Sequence, residues 1–326
     1  MFNAIIVPIL FGLALFLLGM KMMELAMHAW AGPSLNKWLE RLTKTPLRGM
    51  VAGTALTALM QSSSAITVIT IGFVNAGVLR FSQTLGIILG SNIGTCLTTE
   101  LIGASLGRIG MPLLLGAASI WLATLLVSEP NAAQRAGGWL HHARCGSASA
   151  AGFALVLLGI QTMQRIGPAL EARGLFAWFA ERSGSGLLWA VIAGVVVTAL
   201  IHSSAAVIAL AMGLAASGSL SPELGVAVTL GANIGTCVTA WLASIGGTRA
   251  ATFVAWAHIA LNFGGVLLFL PFITELTQIS AWFSELPAMQ IARSQTIFNV
   301  ACSLLALPIC YLPFIRRIKH PPLQAK

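Results

Sequence analysis

The chain has 326 residues, 57% of them apolar and only 8% charged, with a formal net charge of +9. A soluble domain carries about 25% charged residues, so this composition excludes a water-exposed surface and leaves a polytopic membrane protein. The Lys and Arg residues lie between and after apolar segments rather than on one basic face, which argues against nucleic acid as a partner.

A spanning helix needs about 20 apolar residues. The first apolar run, Ala4 to Gly19, has no basic leader and no small-residue cleavage site, so it reads as a first span over 4–23 rather than a signal peptide. A polar-punctuated stretch at 33–48 suits the membrane interface. The apolar region 49–78 is interrupted by Gln61-Ser62-Ser63-Ser64. It is too long for one crossing and too short for two, which predicts a re-entrant hairpin of two half-helices meeting at those residues, the second over Ala65 to Phe73. A helix at 82–107 contains Asn92-Ile93-Gly94-Thr95, and a span at 111–128 follows.

The chain then repeats itself. Residues 12–23 align with 152–163, and residues 52–98 align without a gap with 193–239. Ser62 and Ser63 fall on Ser203 and Ser204, and Gly90-Ser-Asn-Ile-Gly-Thr-Cys96 falls on Gly231-Ala-Asn-Ile-Gly-Thr-Cys237. The expected domain is therefore a single transmembrane unit: repeat 1 over 4–130, repeat 2 over 146–273, and a last helix over 292–315. Three crossings per repeat, an odd number, turn the second copy upside down. With the N-terminus outside and the C-terminus cytoplasmic, 13 of the 18 basic residues fall inside, and Arg108, Arg165, Arg173, Arg182 and Arg293 fall outside. The fold class is all-α: two inverted-topology repeats, each with a re-entrant hairpin and a helix broken at Gly94 or Gly235, plus a final transmembrane helix.

Backbone polar groups in a bilayer need partners, so a helix break is tolerated only where protein or a water-filled cavity supports it. A break at Gln61–Ser64 presents free N–H groups, three hydroxyls and an amide, donors that suit a tetrahedral oxyanion. The second copy brings His202, Ser203 and Ser204 to the same axis from the other side. Packing of the serines against their own turn is the plain alternative. Asn92, Thr95 and Thr98, with Asn233, Thr236 and Thr239, are neutral oxygen ligands that suit Na⁺, with packing of the glycines as the alternative. Glu100 is the one acid well inside an apolar segment, a candidate for ion or proton coupling or for pairing with Arg108. His202 is read as a neutral donor replacing Gln61 or as a titrating group. His258, Asn262 and Asn299 are open between helix-to-helix bonds and a cavity role. Five Cys, an odd number and mostly within apolar segments, predict no disulfide, and no cluster suggests a transition metal. With no Asp anywhere and no catalytic constellation, the chain does not read as an enzyme.

On the duplicated QSSS-like and GxNIGT motifs and the AHIALNF and SQTIFN segments, the chain resembles the sodium/phosphate cotransporter family, in its bacterial branch, related to the type II cotransporters of animals. The resemblance covers residues 10–310 and implies sodium-coupled transport of inorganic phosphate by alternating access in the bacterial inner membrane. Phosphate would lie between the hairpin tips at Gln61, Ser62, Ser63, Ser64, Ser203 and Ser204, with Na⁺ as the coupling ion and no other cofactor. The second motif departs from the pattern in His202 and Ala205, and Cys96 and Cys237 stand where a hydroxyl residue is common in the family. Any PhoU-like regulator would be a separate protein, and a homodimer is left open. Proton coupling, another oxyanion, export rather than uptake, and a passive anion channel remain alternatives.

Overall fold

The computed structural model describes residues 6–31, 34–105, 109–127, 138–164 and 186–316. Arg108, Arg135, Arg165, Arg173, Arg182, Arg317, Lys319 and Lys326, all used above for pairing or orientation, lie outside the described residues. The described residues form helices and no strand. Repeat 1 comprises α1 (Val7–Ala31), the short α2 (Ser34–Leu42), α3 (Pro46–Met60), α4 (Ser63–Asn75), α5 (Phe81–Ser105) and α6 (Gly110–Leu125). Repeat 2 comprises α7 (Trp139–Gln164), α8 (Gly186–Ile201), α9 (Ser204–Ala216), α10 (Pro222–Gly235), α11 (Cys237–Ser244), α12 (Arg249–Phe269) and α13 (Ile273–Ala281). The chain continues through α14 (Pro287–Ala306) to a last turn, α15 (Pro313–Arg316). Among the described residues, six helical stretches are long and apolar enough to cross a membrane, and α6 is a shorter apolar helix. This is a multi-pass membrane protein.

The hairpin geometry follows from which ends meet. Gln83 Nε2, at the start of α5, donates to Thr43 O just before α3, at 3.0 Å. The chain from Thr43 to Gln83 therefore enters and returns on one face. α3 and α5 then run parallel in close contact: a Cβ on Gly90 would lie 2.0 Å from Met50 O, and one on Gly94 would lie 2.6 Å from the Thr57 Cβ. The same approach recurs in repeat 2, where Gly231 meets Val191 O and Gly235 meets the Thr198 Cβ. Small residues at such crossings let backbones touch without a hydrophobic drive from lipid.

α1 and α7 cross antiparallel. Gly12 lies against Gly159 O and Gly19 against Gly152 O, and each contact is returned from the partner's side. Because Gly12 aligns with Gly152 and Gly19 with Gly159, the reciprocity is what a two-fold axis relating the copies imposes. Each hairpin is seated in a core drawn from both repeats. Ile66, Ile71 and Val74 of α4 join Ala251 and Val254 of α12. Ile208 and Met212 of α9 join Ile102 of α5 and Ile291 of α14.

The expected helix breaks are not open ones. α10 passes into α11 through Thr236, which keeps helical dihedrals (φ −63°, ψ −22°), and α5 runs through Gly94 without interruption. The physical reason is the packing just described: Gly94 and Gly235 are small because α3 and α8 press against them, and the helical turn at each stays closed. The half-helix α4 is also longer than the Ala65–Phe73 read from sequence, since Ser63 and Ser64 already form its first turn.

Candidate functional site

Both hairpins reverse over two residues. α3 ends on Gln61 and α8 on His202, each with a positive φ (53° and 58°), the left-handed conformation that commonly closes a helix. The next residues, Ser62 and Ser203, are extended N-caps, and their Oγ atoms accept from Ala65 N and Ala206 N at 3.2 Å each. Each cap satisfies one of the orphan donors of a helix start. The N–H groups of Ser63 and Ser64 in α4, and of Ser204 and Ala205 in α9, precede any intrahelical partner. The cap serines accept through oxygen, so their own hydroxyl protons remain to be given.

The two tips line one cavity of about 740 Å³. Gln61, Ser62, Ser63 and Ser64 face it from hairpin 1, and His202, Ser203 and Ser204 face it from hairpin 2. Thr95, Thr98, Thr236 and Thr239 complete the polar wall. Gln61 is tied down at both ends of its amide: Nε2 donates to Ala58 O, and Oε1 accepts from Thr98 Oγ1 at 2.7 Å. Thr239 Oγ1 donates to Thr236 O at 2.8 Å and lies 3.4 Å from Ser64 Oγ, a link from repeat 2 to the first tip. His202 is exposed to the cavity.

Beneath the tips lies a small void of about 10 Å³, room for about one water or one small ion. Ser63, Ser64 and Ser204 line it as well as the large cavity, and Asn92, Thr95, Asn233, Thr236 and Thr239 line its other sides. Their hydrogen bonds run outward. Asn92 Nδ2 donates to Asn262 Oδ1 (3.2 Å), Asn233 Nδ2 to Thr229 O (2.9 Å), Thr95 Oγ1 to Ser91 O (2.9 Å), and Thr236 Oγ1 to Asn233 O (2.8 Å). With their protons directed at the protein, these side chains offer oxygen lone pairs to the void. That is a donor set for a hard cation rather than for an anion.

Two further side chains complete the void. His258 and Thr67 both line it, both are buried, and His258 Nδ1 and Thr67 Oγ1 have no partner. His258 stands out in the sequence within AHIALNF, and Thr67 carries no signal of its own. Asn262 serves both roles left open for it, accepting across helices from Asn92 Nδ2 of α5 (3.2 Å) and, with Asn92 and Asn299, lining a second cavity of about 230 Å³ beside α5, α12 and α14.

Glu100 is not brought to either space. It lies 3.4 Å from Arg293 Nε of α14 and accepts from Thr296 Oγ1 at 2.7 Å. Thr98 lines the large cavity but not the void, and its hydroxyl is committed to Gln61. Sequence reasoning missed Lys21, Glu24 and His28 of α1, which also line the large cavity. Lys21 reads in sequence as the flank of a span, which is also its place on the helix.

A model of the Na⁺/Pi-cotransporter family matches this chain twice in succession, over residues 15–165 and 155–292. The chain belongs to that family. The Na⁺/Pi-cotransporter family is one of transporters, not enzymes. Among its relatives, "Uncharacterized protein YqeW" of Bacillus subtilis (strain 168) is 33% identical over 311 residues, covering 95% of this chain and 96% of that protein. "Putative inorganic phosphate export protein YjbB" of Escherichia coli (strain K12) is 28% identical over 278 residues, 85% of this chain; the match spans 48% of that longer protein. "Sodium-dependent phosphate transport protein 2A" of Ovis aries is 33% identical over 108 residues, 31% of this chain and 16% of that protein. No solved structure matches the chain.

Proposed function

We propose that this member of the Na⁺/Pi-cotransporter family moves inorganic phosphate with Na⁺ by alternating access, binding phosphate between the two hairpin tips. The observation that carries the reading is the sharing of Ser63, Ser64 and Ser204 between the large cavity and the small void. The amide N–H groups of the first turns of α4 and α9, with the hydroxyls of Ser62, Ser63, Ser203 and Ser204, form the anion's donors, reinforced by the positive ends of two half-helices. Na⁺ occupies the void on the oxygens of Asn92, Thr95, Asn233, Thr236 and Thr239. A cation held against the same serines stabilises the anion above it, and by linkage phosphate tightens the cation site in return.

A carrier rather than a channel is supported by the closure of one side. The α4 face of Ala65, Val68 and Ile69 borders the cavity, while the matching α9 face of Ala206, Ala209 and Leu210 is packed away. The cavity extends along α1 from Leu17 to His28, toward its C-terminal end. With the N-terminus outside a bacterial inner membrane, that mouth faces the cytoplasm. The relative named as an exporter and the relative named as sodium-dependent leave both directions of net flux consistent with one site. Uptake of labelled phosphate into proteoliposomes, with and without a sodium gradient, tests the reading. Sodium-stimulated uptake and phosphate–phosphate counterflow are expected. Sodium-independent uptake overturns the coupling, and conductance without counterflow overturns the carrier.

A further inference from the structure

The cavity wall on α1 has a property its repeat partner lacks. Leu17, Met20, Lys21, Glu24 and His28 are spaced at i, i+3, i+4, i+7 and i+11, one face of a helix, and all border the cavity. The matching residues of α7 are Leu157, Ile160, Gln161 and Gln164, with no formal charge, and Leu157 and Ile160 are buried. Among the described residues lining the cavity Lys21 is the only Lys or Arg, and every other donor they offer to an anion is neutral or a histidine. Its Nζ lies 3.3 Å from Glu24 Oε2, with the Lys21 side chain 60% exposed.

Building on the phosphate-transport reading, we propose that Lys21 captures phosphate at this mouth, held by Glu24 while the site is empty and transferred to the oxyanion as it enters. An exposed ion pair at this spacing contributes about 0–1 kcal/mol, so Glu24 parks the ammonium without trapping it. A phosphate with more than one charged oxygen then competes well for the same ammonium. Once drawn away from Glu24, the ammonium at a mouth walled by low-dielectric helices attracts the anion at short range. Since Gln161 stands at the matching place on α7, none of the described α7 residues repeats this device, and capture is faster on the Lys21 face.

The test measures initial rates of phosphate entry from each face, in right-side-out and inside-out vesicles, for wild type, Lys21→Gln, Lys21→Arg and Glu24→Gln. Lys21→Gln copies the residue of the second repeat and should raise the KM for entry from the α1 C-terminal face about 5- to 10-fold. Entry from the other face should be unchanged. Lys21→Arg should restore the wild-type KM, and Glu24→Gln, which frees the ammonium, should lower it on the same face. High salt should erase these differences, since the Debye length falls to about 3 Å at 1 M. If Lys21→Gln matches wild type on both faces, or weakens both equally, the capture role is overturned while the transport reading stands. If wild-type vesicles carry no phosphate from either face, it is the transport reading that fails. Should Lys21→Gln not reach the membrane, an unchanged KM in Glu24→Gln overturns the proposal by itself.

Discussion

The two hairpins are built alike and sit differently. Each tip has a left-handed cap, an extended serine and a thirteen-residue second helix. Yet α9 is buried along nearly its whole length, while Val68 of α4 is 45% exposed. The glycines at matching positions locate the difference. A Cβ on Gly213 would touch Gln164 Cγ at 3.4 Å and Ile160 Cγ2 at 3.5 Å, whereas one on Gly72 meets nothing within 4 Å. The repeat partners of Ile160 and Gln164 are Met20 and Glu24, which border the cavity. The cavity is thus the α1–α4 counterpart of a contact that α7 and α9 have already made. Under the proposed alternating access, the opposite state would exchange the two: α4 would close with Gly72 on Met20 and Glu24, and α9 would part from α7.

The largest effect should come from blocking that exchange. Gly72→Leu fits the present open gap but leaves a side chain where α4 must meet α1. Overpacking such a contact costs about 1–3 kcal/mol or more, and transport should be nearly abolished while the protein still folds. In that background a thiol at Ala65→Cys should stay reactive and one at Ala206→Cys should stay protected. Normal turnover in Gly72→Leu would break the comparison, because the gap would then not need to close.

The next effect tests whether the tips are equivalent once phosphate is bound. Ser63→Ala and Ser204→Ala each remove a donor to a charged ligand, worth about 1.5–3 kcal/mol, so apparent phosphate affinity should fall about 10-fold or more in each. Ser204 is buried and Ser63 half-buried in the present state. Similar losses would mean that both jaws grip the anion, and a silent Ser204→Ala would make binding one-sided.

A smaller effect separates how the tips are anchored. Hairpin 1 is held to α5 by the Thr98–Gln61 bond at 2.7 Å, while His202 has no such tether among the described residues, and Thr239 instead lies 3.4 Å from Ser64 Oγ. Thr98→Val should lower affinity about 5-fold, the net worth of about 1 kcal/mol for a neutral hydrogen bond. Thr239→Val should do less through this link, and a larger loss there would point to its place in the void. Phosphate and sodium titrations of the two variants measure this.

What could be read from the residues and what could not divide along the same line. The duplication, the hairpins and the tips were legible because length and polarity along the chain are local facts: Gln61–Ser64 interrupts a run too short to cross twice. Gly94 misled because a glycine permits a break and a close approach equally, and only the Thr57 Cβ 2.6 Å from its would-be Cβ decides between them. Lys21 and Thr67 were missed because membership of a wall depends on where α1 and α4 stand. The open and closed hairpins were illegible in principle, since nearly the same local sequence folds into both, and the difference lies in a contact between repeats.

Glu100 gives the smallest expected effect and the sharpest division between local and spatial reading. An acid inside an apolar helix reads as functional by default. In space its carboxylate faces Arg293 and Thr296 of α14 and lines neither the cavity nor the void. Its side chain is 17% exposed beside an arginine that is 43% exposed, so the pair is partly screened. Glu100→Gln keeps the shape and an acceptor for Thr296, and it should change transport rate, sodium dependence and pH profile by less than about 2-fold, the scale of a weak exposed ion pair. Because its repeat partner is Trp241, no second carboxylate stands ready to replace it in the opposite state. A loss of sodium dependence or a shifted pH profile in Glu100→Gln would therefore move the coupling from the void between the hairpins to the α5–α14 seam.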